Sequence, residues 1–297
     1  MSLTGLAPAK INLFLHVGPL QADGYHPLAS LVAFADVGDR VTVVRADNSS
    51  GGLSLTVEGP FGAGLAAEPD NLILKALRAL GQAAGIGEPA LHVVLDKQLP
   101  IAAGLGGGSA DAGTALKLAR TLLGLDFDDV ALEAVAGVVG ADGPMCLRAR
   151  SAWAEGRGDV LTDAVDLPPL HAVLVNPGVP SPTGAVYRAF DAGPAGSTER
   201  PAPPADWSPA SVIGWLADQR NDLEPPALAL TPAIQPALDA VAARTGVGLT
   251  RMSGSGATVF GLFAAPGDAD RAAAALAADH PGWWVRRTVL GGRFADL

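Results

Sequence analysis

Residues 99–113, LPIAAGLGGGSADAG, place glycines at 104, 106, 107, 108 and 113 at the mouth of an apolar, helix-forming run. A helix start exposes unpaired N–H groups and positive partial charge. Glycines just ahead of it let the backbone close around phosphate oxygens with no Cβ in the way. A tight loop whose glycines only serve positive φ angles is the other reading, and the loop alone does not separate the two. Two familiar nucleotide motifs are excluded. No Gly-Lys pair occurs in the chain, so there is no Walker A loop. The dinucleotide fingerprint G-x-G-x-x-G/A puts Ser109 in third place when started at Gly104, and Asp111 when started at Gly106. A nicotinamide dehydrogenase is therefore disfavoured.

Other residues carry chemistry of their own. Only four lysines exist, Lys10, Lys75, Lys97 and Lys117, so few ammonium groups are available to handle a phosphate. Lys10 and Asn12 alternate with Ile11 and Leu13, which puts them on one face of a strand with Phe14 and His16. Lys97 stands just before the glycine loop, where facing a nucleotide and being a solvated strand-end lysine are both open. Asp142 lies in the turn GADGP, and Tyr25 and His26 follow an Asp23-Gly24 turn.

The elements that must position these groups follow from periodicity. Strands are predicted at 10–17, 40–45, 53–58 and 91–95, and a helix over about 71–83 with Asp70 as N-cap and Gly85 as stop. After the glycines, Ala112, Ala115, Leu116, Ala119, Leu122 and Leu123 keep helical spacing up to Gly124, with Ser109 as the predicted N-cap. A helix from Asp128 to Val139 closes at Gly140. The second half reads as a strand at 171–177, a helix at 183–190, a low-complexity loop at 193–210, helices at 211–219 and 233–244, strands at 248–252 and 257–263 around SGSG, a helix at 267–279 and a strand at 284–290. That order is the split βαβ, ferredoxin-like arrangement. The fold class is α+β, with two domains expected at 1–165 and 166–297.

Bulk properties agree with a globular chain: 297 residues, 49% hydrophobic, enough for a sizeable core. A formal charge of -10 and a pI near 4.8 argue against a broad nucleic-acid or anionic-membrane footprint, so a phosphate would be bound locally. Cys146 is the single cysteine, which rules out an intrachain disulfide and any multi-cysteine metal site and points to a reducing cytoplasm. The N-terminus lacks signal-peptide order. The longest uncharged stretches, 167–187 and 252–267, are broken by proline or glycine, so no membrane span is expected.

Seven blocks in order resemble a known family: APAKINLFLHV, DGYHPLASL, LPIAAGLGGGSADA, GADGPMCL, NPGVPSPTGAVY, RNDLEPPA and MSGSGATVFGLF. Together they are similar to the GHMP kinases, small-molecule kinases with a central P-x-x-x-G-L-G-S/G-S motif, and most to the branch acting on a cytidine-diphosphate methylerythritol. The resemblance implies a ribosomal protein S5 domain 2-like N-terminal domain, a ferredoxin-like C-terminal domain and a site in the cleft between them. It implies ATP and Mg2+ as cofactors, with the metal ligands not legible, and transfer of the γ-phosphoryl to the substrate's 2-hydroxyl. Asp142 and Lys10 are the catalytic residues it implies. Lys97, Pro100, Ala103, Gly104, Leu105, Gly106, Gly107, Gly108, Ser109 and Ala110 would bind the nucleotide. Asn12, Tyr25, His26, Asp142 and Thr183 would bind the acceptor, although a helix N-cap is an equal role for Thr183. A monomer or weak homodimer is expected. The rival readings are a homoserine- or mevalonate-type kinase and a non-catalytic nucleotide-binding protein. Two departures stand out. Asp111 brings a carboxylate close to phosphate oxygens, and Gly143 replaces a usual valine, which would loosen the pocket wall beside Asp142.

Overall fold

The computed structural model describes residues 1–46, 52–63, 65 and 71–291. Its spine is a long antiparallel pair, β1 (Ser2–Val17) and β2 (Leu28–Arg45). β1 covers one edge of β2 along almost its whole length. The other edge of β2 serves three partners in turn: β5 (Ala152–Gly156) along 28–32, β10 (Trp284–Leu290) at Ala35, and β4 (Leu91–Asp96) along 40–45. β3 (Ser54–Glu58) adds parallel to β4, and β6 (Val160–Asp163) adds to β5.

Four helices cover this sheet: α1 (Leu72–Ala83), α2 (Gly107–Leu123), α3 (Asp129–Val139) and α4 (Gly143–Arg148). Helix α2 is the central one. Ala112, Ala115, Leu116, Ala119 and Leu122 face a core that includes Phe34, Val41 and Leu77. Gly124 ends it in the left-handed region at φ 68, where a Cβ is disfavoured.

The second half is built on a smaller antiparallel sheet in the order β8-β9-β7-β10, with β7 at Leu170–Asn176, β8 at Val247–Met252 and β9 at Val259–Phe263. Between β7 and β8 run α5 (Thr183–Phe190), α6 (Pro209–Ala217), α7 (Glu224–Leu230), a 3-10 turn and α8 (Gln235–Ala242); α9 (Pro266–Asp279) joins β9 to β10. This is the split βαβ topology expected from sequence. The two sheets meet in one ladder step, Leu290 opposite Ala35, and share an apolar layer containing Phe14, Leu31, Trp153, Leu174 and Phe260.

Several local expectations are corrected. The N-cap of α1 is Asn71, whose side chain accepts from the Ile73 N–H; Asp70 lies outside the described residues. Sequence periodicity missed residues 2–9 of β1, the first half of β2, β5, β6, α4 and α7. Phe14 does not share a polar face with Lys10 and Asn12. Register shifts between Pro8 and Lys10 and between Asn12 and Phe14 bracket those two polar residues, and past the second shift Phe14 enters the apolar layer. Such irregularities re-aim individual side chains beside a site. Among the described residues, no helix is long and apolar enough to cross a membrane.

Candidate active site

The β1 irregularities deliver Lys10 and Asn12 to a cavity of about 750 Å³ at the junction of the two halves. Lys10 is buried, and its Nζ donates to Asp142 Oδ2 at 2.8 Å. Burial works to lower the Lys10 pKa, but the Asp142 carboxylate and its hydrogen bond outweigh it and hold the ammonium above its ordinary value. Asp142 stands ahead of α4 as its cap residue but makes no side-chain capping bond, which leaves the carboxylate for Lys10 and the cavity. Gly143 does not loosen this wall. A Cβ there would meet the Ala136 carbonyl oxygen at 2.1 Å, so the glycine permits close packing of α4 on α3.

The glycine loop forms the opposite wall. Gly104 and Gly106 have φ of 73 and 63, and a Cβ on Gly104 would lie 2.2 Å from the Ser253 carbonyl oxygen. The loop is pinned by the Lys10 N–H to Leu105 O at 2.8 Å, the Thr258 N–H to Ala103 O at 3.1 Å, the Ser181 N–H to Ala102 O at 3.2 Å and Ser253 Oγ to Gly104 O at 3.0 Å. Pro100, Ala103, Gly104, Leu105, Gly106, Gly107, Gly108 and Ser109 line the cavity, whereas Ala110 is buried in the core beneath. The cap of α2 is Gly106, so Ser109 is not the N-cap; it sits inside the first turn. The Cys146 thiol donates to Gly106 O at 3.8 Å, and burial pushes its pKa up, so it stays neutral and is no nucleophile.

Lys97 lines the cavity, but its ammonium is already engaged. It donates to Asp39 Oδ2 at 2.5 Å and to Asp111 Oδ2 at 2.7 Å, with all three side chains buried. Asp39 Oδ1 also accepts the N–H groups of Gln98 and Leu99, at 2.6 and 2.8 Å. Asp111 therefore does not face the phosphate side, contrary to expectation; it points under the helix towards Lys97. Asp39 was invisible in sequence, because its partners lie about sixty positions away.

Towards the other end, Asn12 Nδ2 donates to Ser30 Oγ at 2.9 Å, while its buried Oδ1 has no partner. Thr183 is the first residue of α5, not its cap, and its hydroxyl meets Ser255 Oγ at 2.8 Å. Tyr25 is half exposed, with the Arg157 guanidinium 4.9 Å from its ring centre. His26 Nε2 donates to Asp191 Oδ1 at 2.7 Å, and its ring lies 5.0 Å from that of Tyr187. Tyr187, Arg157 and Asp191 were not singled out from sequence, although Tyr187 closes the NPGVPSPTGAVY block. Asn221, from the RNDLEPPA block, shapes the 253–256 connection by donating to Met252 O and Gly254 O, both at 2.8 Å.

The site thus joins a glycine-lined helix start, an ammonium–carboxylate pair and an aromatic end within one cavity, on a two-domain α+β fold. That combination defines the class of small-molecule kinases. The family model described as the GHMP kinases N terminal domain matches residues 71–149, and that of the GHMP kinases C terminal matches 211–282. A 4-diphosphocytidyl-2-C-methyl-D-erythritol kinase of Caulobacter sp. (strain K31) is 52% identical over 99% of this chain and 100% of its own length. One of the same description from Dinoroseobacter shibae is 49% identical over 97% of this chain and 95% of its own. A solved 4-(cytidine 5'-diphospho)-2C-methyl-D-erythritol kinase superposes with a TM-score of 0.78 at 35% identity, covering 98% of this chain and 100% of that one. The homoserine kinase of Cytophaga hutchinsonii shares the fold, at a TM-score of 0.71 and 19% identity over 97% of this chain and 94% of that one. The chain belongs to the GHMP kinase family.

Proposed function

We propose that this chain transfers the γ-phosphoryl of ATP to the 2-hydroxyl of 4-diphosphocytidyl-2-C-methyl-D-erythritol, giving the 2-phosphate and ADP. One observation carries this: the Lys10–Asp142 pair, 2.8 Å apart, shares a cavity with the glycine loop and with Tyr25, His26 and Tyr187. The full-length likeness to kinases of that description supports the choice of acceptor.

In this reading Asp142 accepts the proton of the attacking hydroxyl. Lys10 orients that carboxylate through its hydrogen bond and compensates the charge that develops on the oxygen. The N–H groups at the start of α2 face the transferred phosphate, and the rigid loop supplies the alignment on which phosphoryl transfer depends. Asn12 Oδ1, buried without a partner, accepts a donor of the substrate at a cost already met on folding. The ring of Tyr25 offers its face to the cytosine, with His26 held in orientation by Asp191. Magnesium bound with ATP would lie against the phosphates at the glycine loop, on the side of the cavity where Asp142 stands. In that complex it shields the phosphate charge.

The test is ADP release with Mg-ATP and, in parallel, the cytidine-diphosphate methylerythritol, homoserine and mevalonate. Turnover on the first alone is expected. Turnover only on homoserine or mevalonate overturns the acceptor assignment, and ATP binding without turnover on any acceptor favours a non-catalytic nucleotide binder.

A further inference from the structure

The buried cluster beneath the glycine loop holds one cation and two carboxylates. Lys97 Nζ lies 3.1 Å from where a Cβ on Gly107 would stand, directly under the first residue of α2. Asp39 accepts three hydrogen bonds, two from backbone N–H groups and one from Lys97. Asp111 accepts only from Lys97, and its Oδ1 is buried with no partner. Two full negative charges on one ammonium would leave a net charge of about -1 sealed beneath the loop, where burial penalises it heavily.

We propose that Asp111 is a positioning residue which stands as a neutral carboxylic acid, so that the cluster under the phosphate loop carries no net charge when the nucleotide binds. The inference rests on the loop being the nucleotide site. Burial is the main cause that pushes the Asp111 carboxyl up to about 8, with Lys97 opposing and Asp39 adding to the rise. The helix start favours the charged form, but its influence fades within the first turn, and Asp111 lies beyond that turn. On β2, Asp36 accepts from Thr288, Arg45 donates to Leu122 O and Arg40 is exposed; the groups on β1 and on the packed helices have other partners or are neutral. Lys10 on β1 is bound to Asp142, and Cys146 on α4 is a neutral thiol. Glu133 on α3 pairs with Arg148 on α4, and Asp129 on α3 with Arg120 of α2 itself. On α1, Arg78 pairs with Glu88. Lys75 of α1 and Lys117 of α2 have interactions of their own.

The sign of the linkage is fixed by this arrangement. With a folded value of about 8 against an ordinary 3.8, the native state holds a proton that the unfolded chain has lost. Stability therefore falls as pH rises from about 4 to about 8. Above that range the ionised carboxylate sits under the loop and opposes phosphate. Asn in place of Asp111 keeps one acceptor for Lys97 but cannot ionise.

The experiment combines two readouts. Binding of a non-hydrolysable ATP analogue with Mg2+ is measured from pH 6.5 to 9 in wild type and Asp111→Asn, and the infrared carboxyl stretch of a protonated acid is followed in wild type over the same range. In wild type, affinity should fall about tenfold more by pH 9 than it does in Asp111→Asn, as one pH unit above the ionisation implies. At pH 6.5 the two proteins should bind equally. The infrared band should be present at pH 6.5 and bleach towards pH 9. A missing band at pH 6.5 overturns the neutral acid, with no need of the variant. A band present with parallel affinity profiles overturns the effect on the nucleotide, and failure of both proteins to bind the analogue at any pH overturns the loop assignment itself.

Discussion

Two lysine–aspartate clusters flank the same glycine loop at nearly the same distances, yet they face different worlds. In the first, Lys10 meets an Asp142 whose side chain is 41% exposed to the cavity. In the second, Lys97 meets Asp39 and Asp111 at 0% and 3% exposure. A proton acceptor must be reachable by the hydroxyl it serves, so only the open cluster can do the chemistry. The closed one is insulated from solvent, where an ion pair mainly fixes geometry and is costly to break. Identical residue types therefore say little until their access to solvent is known.

Breaking the open pair should give the largest effect. Asp142→Asn is expected to lower kcat about 10³-fold, within the range of a lost general base, with ATP affinity near wild type. Wild-type turnover in that variant would assign the proton to another group. Breaking the closed cluster should act on folding instead. Lys97→Met removes the one cation that Asp39 and Asp111 share and should cost about 3 kcal/mol in a urea titration. A loss under about 0.5 kcal/mol would place Lys97 with the surface lysines and dissolve the contrast. At the aromatic end, Tyr25→Ala should raise KM for the cytidine substrate about tenfold through lost stacking, with kcat nearly unchanged; an equal fall in kcat would move Tyr25 into the transition state. The smallest expected change sharpens the comparison by its flatness. The Lys10 pKa is raised, so its pairing contribution is complete below the ordinary value of 10.5 and is lost only as pH climbs through the higher folded value. The stability difference between wild type and Lys10→Met should thus stay constant from about pH 6 to 9, and a slope there would show that the ammonium titrates early.

Much of the fold was legible because it is written in local periodicity. The stripe from Ala112 to Leu123 and the strands around SGSG appear where spacing puts them. β5 and β6 escaped because they are short, five and four residues, and the first half of β2 because it is buried on both faces and shows no alternation. The site was legible through the sequence blocks more than through physics. Lys10 and Asp142 lie 132 positions apart, and no local pattern announces their contact. The direction of Asp111 was misread for the same reason, since only the packed structure shows that this face of the helix turns to Lys97 and away from the loop mouth.

The pinning of the loop has a temporal consequence. Its carbonyls at Ala102, Ala103 and Gly104 are held by Ser181, Thr258 and Ser253, all made long after residues 99–113 have left the ribosome. A nascent chain that has completed β1, β2 and α2 still lacks the clamps that shape the loop. At a synthesis rate of about 5–20 residues per second, about eight to thirty seconds separate the making of the glycines from the making of their last partner. A chain stalled after α2 carries the glycine loop with one of its four pins, that from Lys10, and the other three arrive with Ser181, Ser253 and Thr258.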